Sequence, residues 1–96
     1  MVIEFLTFRL APGELADWLP RDEATWSRFL ERQEGFVSKQ LWVERGRNDE
    51  VHAVITWRDE ASWKAIPQTD LDAVNQALGP WVRDPTCRTF DVVRDC

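Results

Sequence analysis

The sequence predicts an α+β fold whose elements run strand, helix, strand, strand, helix, strand. Three observations predict it: four short runs are rich in β-branched and aromatic residues, two intervening stretches carry apolar residues at spacings of three and four, and turn-forming residues separate them. At 96 residues the chain is expected to form one domain, spanning 1–96. A core of that size buries only a little under two thirds, roughly, of the unfolded surface, so association with a second copy is an expected supplement.

Residues 2–10 (VIEFLTFRL) read as the first strand and stop at Ala11-Pro12-Gly13. From Glu14 to Gln33 the residues Leu15, Trp18, Leu19, Trp26, Phe29 and Leu30 form a helical stripe ended by Gly35. Proline is disfavoured inside a helix, so Pro20 predicts a short lead-in turn followed by a main helix over 20–33. Residues 36–44 alternate as a strand, 45–49 supply a turn, and 50–57 form the next strand of a hairpin. Asp59 is placed to cap a short helix carrying Trp63 and Ile66, which Pro67 breaks. Thr69-Asp70-Leu71-Asp72 resembles a capping start for a second piece with Leu71, Val74 and Leu78 on one face and Gly79-Pro80 as its stop. The last strand is read over 87–93.

Two βαβ halves in this order give a ferredoxin-like βαββαβ fold: a four-stranded antiparallel sheet with both helices on one face. Such a sheet ordinarily has a polar open face. Strand one instead places Val2, Leu6, Phe8 and Leu10 on one side and Ile3 and Phe5 on the other, and strand three is also apolar on both sides. The expected cover is a second copy of the chain, sheet on sheet, as a two-fold homodimer forming a dimeric α+β barrel.

Twelve Lys and Arg against 17 Asp and Glu give a net charge of −5, with no basic patch. Nucleic acid is therefore not an expected partner. No apolar run is long enough to span a bilayer, and the N-terminus lacks signal-peptide features, so the cytoplasm is the expected compartment and no membrane partner is expected. Cys87 and Cys96 lie nine residues apart in an extended segment, about 30 Å if fully drawn out, so they are expected to be free thiols. One His, two Cys and scattered carboxylates predict no metal site and no bound cofactor.

Seven residues are candidates for lining a pocket. Asp22 lies four residues after Trp18 and four before Trp26, so an acid interrupts the apolar stripe and should face the sheet. Burying it demands a partner: a Trp indole, His52, Lys39 or backbone amides. His52 shares a strand face with Val54 and Thr56, and Glu4 shares one with Leu6. There are six Trp and no Tyr. Trp26, Trp42, Trp57 and Trp63 fall on elements that enclose the space between helices and sheet, where indoles suit a flat aromatic ligand or an interface equally.

The opening 2–9 (VIEFLTFR), Asp22 with Trp26, Gly35-Phe36-Val37 with Lys39 and Trp42, and Trp57 followed by Trp63-Lys64-Ala65-Ile66-Pro67 together resemble an uncharacterised, largely cyanobacterial family. That family lies within the dimeric α+β barrel superfamily of antibiotic biosynthesis monooxygenase-like proteins. The resemblance runs from Met1 to about Leu78 and implies a barrel-forming homodimer without assigning an activity. Haem-degrading branches use an Asn on the first strand, a Trp after the third and a His on the second helix; here only the Trp is present. Quinone-forming branches use Asn, Trp and Tyr, and this chain has no Tyr. Two functions follow as alternatives. One is a protein that binds a small apolar or aromatic molecule between helices and sheet, monooxygenase-like by resemblance. The other is a non-catalytic structural or regulatory homodimerisation module. A void of roughly 300 Å³ with convergent polar groups would mark the first.

Overall fold

The computed structural model describes all residues, Met1–Cys96. Strand β1 (Val2–Arg9) leads to a helix built of α1 (Leu15–Asp22), a π-helical turn (Glu23–Ser27) and α2 (Arg28–Leu30). Strands β2 (Phe36–Trp42) and β3 (Glu50–Trp57) form the hairpin, followed by α3 (Glu60–Lys64), α4 (Gln68–Leu78), a 3-10 turn (Gly79–Trp81) and β4 (Thr86–Asp91). The strands pair antiparallel in the order β2-β3-β1-β4, the ferredoxin-like arrangement that the element order predicts.

Register decides which side chains meet the helices. Leu6 pairs with Ala53 and Val2 with Trp57, so the even residues of β1 and the odd residues of β3 share the helix-covered face. There Val2, Phe8, Val51, Ala53, Ile55 and Trp57 join Trp18 and Leu30 of the long helix in one core cluster. On the opposite face are Ile3, Phe5, Val54, Trp42 and Phe90, of which Trp42 and Phe90 are exposed. Phe5 stands edge-on to Trp42 and Phe90, with ring centroids at 6.2 and 5.8 Å, and stacks on His52 at 5.1 Å. The doubly apolar sheet expected from the sequence is present.

Four local features differ from the sequence reading. The long helix starts at Leu15 and ends at Leu30, with Pro20 inside it. Pro20 has no N–H to give to the carbonyl of Ala16, but the fully buried Trp18 anchors this turn, and the Arg21 guanidinium donates to the neighbouring Asp17 carbonyl at 2.6 Å. Helix α4 begins at Gln68, one residue after the extended Pro67, and has no side-chain cap. Proline at this position pre-sets the chain for helix entry and makes the Thr69–Asp72 capping signal redundant. The Asp59 cap is as expected, its carboxylate accepting from the Ser62 N–H at 2.7 Å. The last strand is shorter than read, ending at Asp91.

The fourth difference is in β2. Phe36 lies opposite Trp57 and Ser38 opposite Thr56, so Val37 is an extra residue in a β-bulge. The bulge reverses the alternation of everything after it: Lys39 and Leu41 face the helices, and Trp42 faces away. Cys87 and Cys96 are both free and exposed.

Candidate functional site

Between the sheet and the helices lies a cavity of about 280 Å³. Five of the seven candidate residues, Glu4, Asp22, Trp26, Trp57 and Trp63, line it. Trp42 and His52 do not: the bulge turns Trp42 to the open face, and the pairing of Thr7 with His52 puts the imidazole there too. On that face the Nδ1 of His52 lies 2.9 Å from the Thr7 hydroxyl and its Nε2 lies 3.3 Å from Glu50. These two residues are thereby removed from the pocket and assigned to the uncovered side of the sheet.

Glu4 is half-buried in the floor of the cavity. The indole N–H of the fully buried Trp57 donates to its Oε1 at 3.1 Å, a cross-strand contact between adjacent β1 and β3. Burial pushes the Glu4 carboxyl above its ordinary value, and the Trp57 bond, Lys64 and Lys39 offset only part of that. A carboxylate held by one oxygen in an apolar wall, with its other oxygen free, is equipped to accept a proton from a bound ligand.

Asp22, 2% exposed, points inward as its helical phase predicts. Its partner is the Lys39 ammonium, 2.6 Å from Oδ2, with the Lys39 side chain only 7% exposed. Lys39 also donates to the Ser27 hydroxyl at 2.8 Å. Asp22 closes α1 and Ser27 closes the π turn, so one widened helical turn brings both over the same ammonium; π-helical turns often sit where a side chain must be re-aimed. Burial raises the Asp22 carboxyl above its ordinary value despite the opposing charge of Lys39. Ser27 carried no signal in the sequence, because its convergence with Asp22 depends on i→i+5 winding that periodicity of 3.6 does not anticipate.

One cross-strand row organises the floor. Ile55 pairs with Glu4 on one side and Lys39 on the other, so the two polar residues flank an isoleucine at a backbone separation of about 10 Å, two strand spacings. Indoles of Trp26 and Trp63 close the cavity from the helical layer, and the loop Val82–Pro85 supplies a further wall. The sequence reads residues 81–86 as a loop, but nothing in it places that loop against the cavity. The loop is tied to the start of α1 by Arg83 Nη2 on Glu14 Oε2 at 2.7 Å. A larger hollow of about 430 Å³ shares Lys39 with the cavity but has only Phe36 and Leu41 as apolar walls, which suits water better than an aromatic ligand. No three His, Cys, Asp or Glu side chains converge as a metal-binding group, and no helix is long and apolar enough to cross a membrane.

Known structures share this architecture. A putative antibiotic biosynthesis monooxygenase from Bordetella bronchiseptica superposes with a TM-score of 0.79 at 16% identity, over 97% of each chain. SnoaB, a cofactor-independent oxygenase from Streptomyces nogalater, gives 0.70 at 22% identity, over 98% of this chain and 94% of that one. The ActVA-Orf6 monooxygenase of Streptomyces coelicolor, solved in complex with nanaomycin D, gives 0.78 at 13% identity, over 99% and 89%. At these identities the likeness is one of fold. No curated protein matches the sequence significantly. The antibiotic biosynthesis monooxygenase family model matches residues 1–71, including β1, the π turn with Asp22 at its entry, the β2–β3 hairpin and Trp63, and the chain belongs to that family.

Proposed function

We propose that the protein binds a small hydroxylated aromatic molecule in the cavity between helices and sheet and oxygenates it without a cofactor. The observation that carries this reading is a tryptophan-walled cavity of about 280 Å³ whose floor presents the half-buried Glu4 carboxylate, pinned by the Trp57 indole. The volume is at the lower end of the roughly 300–1,000 Å³ range of ligand pockets, so the ligand is small. Indole faces at Trp26 and Trp63 offer stacking surfaces to a flat ring. Glu4 accepts the ligand's hydroxyl proton, and the electron-rich phenolate is the species that reacts with dioxygen. One oxygen atom enters the ring as a carbonyl, the other leaves as water, and the four electrons that reduce dioxygen come from the phenol as it becomes a quinone. The structural likeness to SnoaB, a cofactor-independent oxygenase, supports the reaction class. The protein lacks Tyr, so the proton acceptor is assigned to Glu4.

A homodimer is part of the same reading. Ile3, Phe5, Trp42, Val54 and Phe90 leave the face of the sheet remote from the helices apolar and uncovered, and a second copy of that face is its natural complement.

Titration of the purified protein with phenols, quinones, flavins and haem, followed by quenching of Trp emission, tests binding. Hydroxylated aromatics should quench, and oxygen consumption with quinone formation should follow for an oxidisable ligand. Absence of quenching by any aromatic would leave the non-catalytic dimerisation module as the function.

A further inference from the structure

From the cross-strand row Glu4–Ile55–Lys39 we infer that the cavity recognises a two-ended aromatic ligand, with a hydroxyl donor at the Glu4 end and a conjugated carbonyl oxygen at the Lys39 end. This rests on the ligand-binding reading above and adds the functional-group pattern of the ligand. Both residues are on the helix-covered face, on either side of Ile55, and both line the cavity. A ring lying on Ile55 has one of them at each end.

The two ends differ in chemistry. Glu4 uses Oε1 to accept from Trp57 and has no protein donor on Oε2, so its free capacity is for a ligand O–H. The Lys39 ammonium has three N–H groups, of which Asp22 and Ser27 take two. The third has no protein acceptor. A buried ammonium keeps a hydrogen-bonding partner on each N–H where one is within reach, and a carbonyl oxygen of the ligand supplies it. Asp22 offsets the positive charge, so this end suits a neutral carbonyl better than a free carboxylate.

The two ends act together through the ligand. In a 4-hydroxyaryl ketone, removal of the hydroxyl proton places negative charge on the carbonyl oxygen by conjugation. Glu4 takes the proton, and Lys39 meets the charge at the far end. The bulge at Val37 is what makes this possible, because uninterrupted alternation from Phe36 would direct Ser38 and not Lys39 into the cavity.

The test uses three probes, 4′-hydroxyacetophenone, acetophenone and phenol, titrated up to millimolar concentration against Trp emission. The two-ended probe should bind about tenfold or more tightly than either one-ended probe, as one additional satisfied polar contact gives. Its bound phenolate absorbance should appear at lower pH than for the free compound. Glu4→Gln should abolish the pH shift, and the pair Asp22→Asn/Lys39→Met, which removes both buried charges together, should abolish the preference for the carbonyl. Equal binding of all three probes by the unaltered protein overturns this inference while the ligand-binding function stands. Survival of the carbonyl preference in a folded Asp22→Asn/Lys39→Met protein overturns the role of Lys39. Failure of every probe to quench overturns both readings, and if the double variant does not fold, the three-probe comparison in the unaltered protein decides alone.

Discussion

Asp22 and Lys39 form the pair whose separation costs most. Removing one member leaves the other charged and buried, a change typically worth about 3 kcal/mol or more, whereas removing both can be nearly neutral. Asp22→Ala and Asp22→Asn should therefore both lower the free energy of unfolding by about 3 kcal/mol, and Asp22→Asn/Lys39→Met should recover most of it, as chemical denaturation will measure. Had the partner been a neutral N–H, Asn would have been mild. Glu4 gives the pH dependence. Its proton is held more tightly in the folded protein than in the unfolded chain, so the corresponding stability is fully present below 4.5 and is lost as pH rises through the raised folded value. The exposed Asp49 and Asp59 are held below the usual carboxylate range by Arg47 and by the Ser62 N–H respectively, so their contribution disappears only in stronger acid. Thermal unfolding should accordingly show a midpoint that rises from pH 7.5 to pH 5. Glu4→Gln should flatten this rise and raise the midpoint at pH 7.5.

The elements themselves turn on two contrasting glycines. Gly35 has φ of +83°, and a Cβ there would overlap Ser62 of α3, because the turn before β2 packs directly on that helix. Gly46 has φ of +88° in the hairpin loop with open space around it. Gly35→Ala should cost about 2 kcal/mol or more and Gly46→Ala about 1 kcal/mol, the difference being the steric clash alone, measured by denaturant unfolding. All six principal elements, the Asp59 cap and the Gly79 stop were legible in the sequence, since each depends on neighbours within a few residues. Asp22 was legible for the same reason: Trp18 and Trp26 fix its phase. The position of Trp42 was not. Alternation from Phe36 assigns it to the helix side, but the hydrophobic pattern of β2 contains no mark of the extra residue at Val37, which register with β3 alone reveals. The π turn is hidden similarly, because it exchanges one local winding for another to bring Ser27 onto a residue twelve positions away.

The whole molecule is a slab of 35 × 33 × 19 Å, one sheet and one helical layer thick. One broad surface is helical and the other is the sheet, where Phe5 contacts both Trp42 and Phe90. A pair of such slabs joined through their sheets should bury at least about 1,200 Å² in total. Sedimentation at micromolar concentration should give twice the chain mass, and Phe5→Arg should shift the protein towards monomer by placing a charge at the centre of the contact. A stable monomer under those conditions would end the barrel reading. The element order made this face predictable, but His52 on it was not anticipated as an interface residue, since a lone histidine carries no indication of which side of a sheet it will occupy.

Trp18 has a consequence for spectroscopy. Its ring is 1% exposed and packs on Phe8 with centroids 5.0 Å apart, and its Nε1 has no hydrogen-bond partner. An indole in that setting emits at short wavelength, is out of reach of aqueous quenchers, and has an N–H resonance displaced from those of its bonded counterparts. Its proton exchanges with deuterium only when the core opens. Trp42 on the open face has the opposite properties. Fluorine-labelled tryptophan would separate the two signals, giving a clock for global opening from Trp18 and a gauge of subunit contact from Trp42 in a single sample.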